Sequence, residues 1–144
     1  GMMIINAIQE QIITEMAGLE DWLDKYDYLI KTGKEIPEQD ASFKTDENVL
    51  PGCQSRVWLT SEVQGENVVY RADTDSRIIR GILALLLRVL DHQPAAVIDE
   101  ADLFFIRDTG LATNLSPSRA NGLASIIKQM KSQAAVHLES GKSE

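Results

Sequence analysis

Apolar residues recur at three- and four-residue steps from Ile5 through Ile8, Ile12 and Met16 to Leu19, which predicts an amphipathic helix with Gly18 near its end. Trp22, Tyr26, Leu29 and Ile30 repeat the pattern, and Gly33 is placed to cap this second helix. From Lys34 to Asn48 the periodicity disappears among acidic and small residues and Pro37, so a long surface loop is expected. Such loops are uncommon inside compact domains and more often functional. Ser55 to Val63 then alternates, with Val57, Leu59 and Val63 on one face and Arg56, Trp58, Thr60 and Glu62 on the other. A tight turn centred on Gly65 and Glu66 returns the chain along Asn67 to Thr74. In that register Val63 faces Val68, Leu59 faces Ala72, and Arg56 faces Asp75 as a pair at the open end of the hairpin.

Asp73-Thr74-Asp75-Ser76 is a run of helix-capping residue types, with Asp73 and Asp75 the expected caps. Ile78 to Leu90 follows, apolar almost all round, and predicts a central buried helix that Pro94 stops. Ala95 to Thr109 reads as one or two short helices with Leu103, Phe104 and Phe105 turned inward. Ser116-Pro117 opens a last helix reaching about Leu138, ahead of a polar tail. Two helices, a hairpin and further helices argue an α+β fold, helices packed on a small antiparallel sheet. A single domain spans 1–144, with 1–4 and 140–144 expected as flexible tails.

Composition narrows the partners. The chain has 144 residues, 44% hydrophobic and 25% charged, as in one soluble globular domain. Its 14 basic residues are scattered among 22 acidic ones for a net charge of −8, which argues against nucleic acid or an anionic membrane as partner. The longest apolar run, Ile82 to Leu87, is far below the ~20 residues of a membrane span. Gly1 before Met2 reads as a tag remnant, and no signal peptide is visible, so a cytoplasmic location is expected. No phosphate-binding glycine loop or clustered metal ligands occur, and no cofactor is expected.

The single cysteine, Cys53, excludes an intrachain disulfide. It ends the long loop just before a strand, after Pro51-Gly52, where a functional thiol suits the chain; burial as a packing residue is the alternative. A cysteine hydrolase would need His92 or His137 as base, and both fall at helix ends away from Cys53. The N-terminus of the central helix favours a thiolate there, while Asp73 and Asp75, brought near by the hairpin, oppose it. Trp58 faces away from Val57 and Leu59 and is expected to lie under a helix. Arg119, a cation in the first turn of the last helix, is expected to have an acidic partner or a role at the site.

Gly52-Cys53-Gln54-Ser55-Arg56-Val57-Trp58, Asp73-Thr74-Asp75 leading into Ile78-Ile79-Arg80-Gly81, Ser116-Pro117-Ser118-Arg119 and Gly122-Leu123 together resemble the SufE family of iron–sulfur metabolism proteins. The resemblance runs from the first helix to about Leu138. It implies the SufE/IscU-like fold and a sulfur-transfer accessory protein rather than an enzyme. A cysteine matching Cys53 would take persulfide sulfur from a SufS-type pyridoxal-phosphate cysteine desulfurase, stimulate that enzyme, and deliver the sulfur to a SufB-containing scaffold complex. Gly52, Gln54, Ser55, Arg56, Asp73, Asp75 and Arg119 are the supporting or docking positions, and a homodimer is possible. The resemblance also implies a resting thiol tucked into an apolar pocket, to which Val49, Leu50 and Pro51 would contribute. Cluster assembly of the three-cysteine IscU kind does not suit a chain with one cysteine.

Overall fold

The computed structural model describes residues 1–143. Helices α1 (Met2–Ala17) and α2 (Trp22–Gly33) are followed by two 3₁₀ turns, the hairpin strands β1 (Val57–Gln64) and β2 (Asn67–Thr74), and helix α3 (Arg77–Leu90). A short strand β3 (Gln93–Pro94), helices α4 (Ala95–Glu100) and α5 (Phe104–Asp108) and the long α6 (Pro117–Ser143) complete the order. The sheet is antiparallel with order β1-β2-β3. The architecture is the α+β arrangement read from the pattern. Residues 2–4 and 140–143, expected as tails, lie in α1 and α6.

The hairpin has the expected register, with Val63 opposite Val68 and Leu59 opposite Ala72. Gly65 turns it with φ of 65°, a backbone conformation open to glycine. Val57, Leu59, Val68, Tyr70 and Ala72 give the sheet a buried face against α3 and α6, whose Ile82, Leu86, Ile126 and Met130 are fully buried. Tyr70 Oη donates to Met130 O at 2.8 Å, tying β2 to α6. Val63 shares this face by alternation yet is 44% exposed, because it sits at the hairpin's far end. Buried Gln9 donates to Asp102 O at 3.0 Å and accepts from the Phe105 N–H at 3.1 Å, so a polar side chain in the core pins α5 to α1. Phe105 is fully buried, whereas Phe104 is only partly so.

Several expectations are corrected. Gly33 is not a left-handed cap: it ends α2, and Lys34 follows in right-handed helical geometry. Its lack of a side chain serves the close crossing of α2 with α3, where a Cβ on Gly33 would lie 2.9 Å from the Gly81 nitrogen. The central helix ends at Leu90 as expected, but His92 and not Pro94 reverses the chain there, with φ of 61° and its backbone N–H donating to Val68 O at 2.8 Å. Residues 34–48 are not a plain surface loop, since Ile36 and Phe43 are buried beneath it. The carboxylate of Glu15 takes both Arg88 nitrogens and the Tyr28 hydroxyl, joining α1, α2 and α3. Arg88's hydrogen bonds hold that carboxyl well down, at about 2, against the opposing effect of burial.

Candidate functional site

The segment carrying Cys53 is closed at its neck by backbone geometry. Leu50 N–H donates to Val57 O at 2.9 Å, as part of a bridge between Val49 and Trp58. On the β2 side, Arg56 O accepts from Thr74 Oγ1 at 2.7 Å and from the Asp75 N–H at 3.3 Å, while Arg56 N–H donates to Asp75 Oδ1 at 3.1 Å. Between these ties residues 51–55 form a small loop in which Gly52 takes φ of 79°, a conformation most residues avoid. Pro51, Gly52 and Gln54 are exposed. The expected Arg56–Asp75 ion pair is absent among the described residues: Asp75 spends its carboxylate on the backbone of the loop's base.

Cys53 itself is half-buried and faces α6, where a Cβ on Gly122 would lie 3.9 Å from its Sγ. A cavity of about 500 Å³ opens beside it, walled by Val57, Ile79 and Gly122 on its apolar and bare-backbone side. Gln54, Ser55, Ser116, Ser118 and Arg119 supply the polar side. Cys53 packs against the buried core, and the cavity beside it is lined by Val57 and Ile79 but not by Val49, Leu50 or Pro51. Ser116 accepts from the Arg119 N–H at 3.4 Å and lines the same cavity, so this capping residue is also a wall of the site. Arg119 is exposed and makes no ion pair among the described residues, which leaves its charge at the cavity rather than neutralised by an acidic partner.

Asp73 and Asp75 do not cap α3. Ser76 does, accepting from the Ile79 N–H at 3.2 Å. Asp73 instead pairs with Lys44 and Arg80. Burial works against its charge, yet the Lys44 and Thr74 hydrogen bonds and the Arg80 guanidinium hold its carboxyl below the usual carboxylate range. Arg80 also donates from Nε to Gly33 O at 2.9 Å and from Nη2 to Ile36 O at 3.3 Å, so this cluster fastens the 34–48 segment to α3. The 34–48 segment reaches Trp58, with Lys44 Nζ 5.4 Å from its ring centre.

No histidine lines the Cys53 cavity; His92 is exposed at the turn after α3, and His137 on α6 meets Ser61 at 3.0 Å. A histidine-assisted cysteine hydrolase is thus without its base among the described residues. Nor do the carboxylates or the start of α3 set the thiol's acidity: burial pushes Cys53 up from its ordinary value. Alkylation of native Cys53 by iodoacetamide is accordingly expected to reach half-maximal rate at a higher pH than a cysteine in a free peptide, about 8.5. At neutral pH the native protein should react more slowly, and urea should bring the two curves together. Coincident curves without urea would show that burial does not restrain the thiol.

A three-stranded sheet clad in helices, presenting a lone thiol on a neck-tied loop, defines a single-cysteine α+β protein. The sequence profile described as SufE, Fe-S metabolism associated domain, matches residues 10–134. An uncharacterized SufE-like protein of Rhizobium etli is 38% identical over 141 residues, covering 94% of this chain and 95% of that one. One from Rhizobium meliloti is 37% identical over 130 residues, covering 87% and 93%. The SufE-like protein 1 of Arabidopsis thaliana, named as chloroplastic/mitochondrial, is 38% identical over 90% of this chain but only 35% of its own length. A hypothetical protein of Thermus thermophilus, solved in solution, shares the fold with a TM-score of 0.75 at 18% identity, covering 92% of this chain and 96% of that one. The chain belongs to the SufE family, which is associated with iron–sulfur metabolism. Among the described residues no helix is long and apolar enough to cross a membrane.

Proposed function

We propose that this chain is a sulfur carrier: Cys53 accepts a sulfur atom from the persulfide of a SufS-type cysteine desulfurase, stimulates that enzyme's turnover, and delivers the sulfur to a SufB-containing iron–sulfur scaffold. The observation that supports it most is the placement of the chain's only thiol on a short loop fastened at both ends beside a cavity.

The chemistry needs nothing beyond thiols. The Cys53 thiolate attacks the outer sulfur of the donor persulfide, an S–S bond forms at Cys53, and the donor's S–S bond breaks. The donor cysteine leaves as a thiolate and is protonated, while Cys53 holds the terminal sulfur as a persulfide. Delivery repeats the exchange with an acceptor thiol. No electrons enter or leave, so no oxidant is required. At rest, burial keeps Cys53 as a thiol and slows its oxidation, which follows thiolate character and exposure. Rotation of the loop about Gly52 into a partner's recess restores the ordinary acidity. Gly52, Gln54 and Ser55 form the moving part; Arg56 and Asp75 hold its base, and Asp73 fastens the neighbouring segment. Arg119 offers a positive charge to developing thiolate or to a partner's carboxylate.

Incubation with purified desulfurase and cysteine, without reductant, is expected to raise the intact mass by about 32 Da, one sulfur atom, mapped to the Cys53 peptide and reversed by dithiothreitol. An unchanged mass beside a demonstrably sulfur-loaded desulfurase would sink the carrier reading.

A further inference from the structure

We infer that the end of the molecule opposite Cys53 is a second docking surface, which binds an extended segment of a partner protein bearing apolar and basic side chains. β1 is the outer strand of its sheet, and beyond the bridge from Val49 to Trp58 no strand lies along its outer edge among the described residues. An open edge of this kind offers backbone groups to an added strand. Beneath the hairpin turn lies an apolar cavity of about 480 Å³ walled by Val63, Pro94, Ala95, Ala96 and Leu138. A second cleft of about 230 Å³ runs along Thr60, Ser61, Gln133 and Val136, and the two share His137. Val63 is 44% and Val136 62% exposed, large apolar side chains left uncovered beside this shared groove. In the same cleft, Gln133 has its Oε1 buried without a hydrogen-bond partner among the described residues, an acceptor that rotation of the side chain would turn toward an N–H of an entering chain.

Charge selects the occupant. Glu62 and Glu66 stand exposed at the hairpin end, and Asp99 and Glu100 are exposed on α4 one turn beyond Ala95 and Ala96. Among the described residues no lysine or arginine lines either cavity. A second copy of this chain, net −8, would bring glutamates against glutamates; a basic segment is attracted instead. Val57 lines the Cys53 cavity, and along β1 at about 3.3 Å per residue Thr60 lies about 10 Å and Val63 about 20 Å beyond it, so a partner held at the hairpin end leaves the thiol free for another. The surface stands whether or not Cys53 carries sulfur.

The test is a titration of ¹⁵N-labelled protein with two synthetic octapeptides, one alternating valine and lysine, the other valine and glutamate. The lysine peptide is expected to shift the amides of residues 59–66, 95–96 and 133–141 saturably and to slow hydrogen exchange at Ser61 and Val63. The glutamate peptide should bind at least about tenfold more weakly, and the double variant E62K/E66K should reverse that preference. Val63→Ser, which removes the apolar contact without adding charge, should weaken the lysine peptide similarly with a nearly unchanged melting curve, since the site is exposed. Absence of these shifts, equal binding of both peptides, shifts without slowed exchange, or concentration-dependent shifts with no peptide present would each overturn the inference, the last pointing to self-association.

Discussion

Cys53→Ser is expected to abolish sulfur acceptance completely while the protein stays folded. A serine hydroxyl forms no persulfide, and the chain contains no second thiol to stand in. The structural cost is small because Cys53 is only half-buried and the new hydroxyl would meet the polar wall of Ser116, Ser118 and Gln54. A stability change within about 1 kcal/mol follows for such a site. The check is paired: sulfide or alanine release by the desulfurase with each protein, and thermal melting of both. Undiminished stimulation by the folded serine variant would mean that docking alone activates the enzyme and that Cys53 is not the acceptor. Loss of stimulation with a collapsed melting temperature would instead make Cys53 a packing residue, the competing reading of a lone cysteine.

The hairpin was legible because two independent signals agree. The alternation of Val57, Leu59 and Ala72 selects the buried face, and Gly65 supplies the positive φ of the turn, so the register of β1 against β2 had no freedom left. The same register put Arg56 opposite Asp75, yet the carboxylate bonds a backbone N–H instead of the guanidinium. Side-chain partners at a strand end depend on which groups the neighbouring loop leaves unpaired, and sequence spacing does not contain that. β3 escaped notice for a simpler reason: two residues have no period, and their pairing depends on the reversal at His92. The 34–48 segment reads as a featureless loop because long-range bonds hold it. Arg80 reaches Gly33 and Ile36 from more than forty positions away, and Lys44 reaches Asp73.

At the site, the thiol was legible and its setting was not. Cys53 stands out by being unique and by following Pro51-Gly52. Its surroundings come from α3 and α6, through Ile79, Ser116, Ser118 and Gly122, and no local pattern predicts that the last helix docks there. One signal was available: a glycine inside a helix is unfavourable by about 1 kcal/mol relative to alanine, and one that persists there marks a close approach. Gly122 lies at the site by that signal, although an added Cβ would stand in ordinary contact with Cys53 Sγ, at 3.9 Å.

The same reasoning at a second helical glycine yields the largest expected loss of stability. A Cβ on Gly81 would lie 2.1 Å from the carbonyl oxygen of Leu29 and 2.6 Å from its carbon, both backbone atoms of α2. Neither can rotate away as a side chain could, so Gly81→Ala forces α2 and α3 apart. Alanine's better helix propensity offsets about 1 kcal/mol, whereas overpacking costs about 1–3 kcal/mol or more. With rigid backbone on both sides the high end applies, and a net loss of about 2 kcal/mol corresponds to a melting temperature lower by roughly 7 °C. Gly141→Ala is the control: no atom lies within 4 Å of its added Cβ, and it sits in α6, so its melting temperature should be unchanged or slightly higher. The loss at Gly81 should reach the thiol as well. Ile79, which walls the Cys53 cavity, and Arg80, which anchors Asp73, Gly33 and Ile36, lie in the same turn. Iodoacetamide should therefore modify Cys53 faster in the Gly81→Ala protein than in the parent, below the melting transition of either. Equal melting temperatures for the two would show that the helices separate without strain and that close packing at this crossing does not hold the fold.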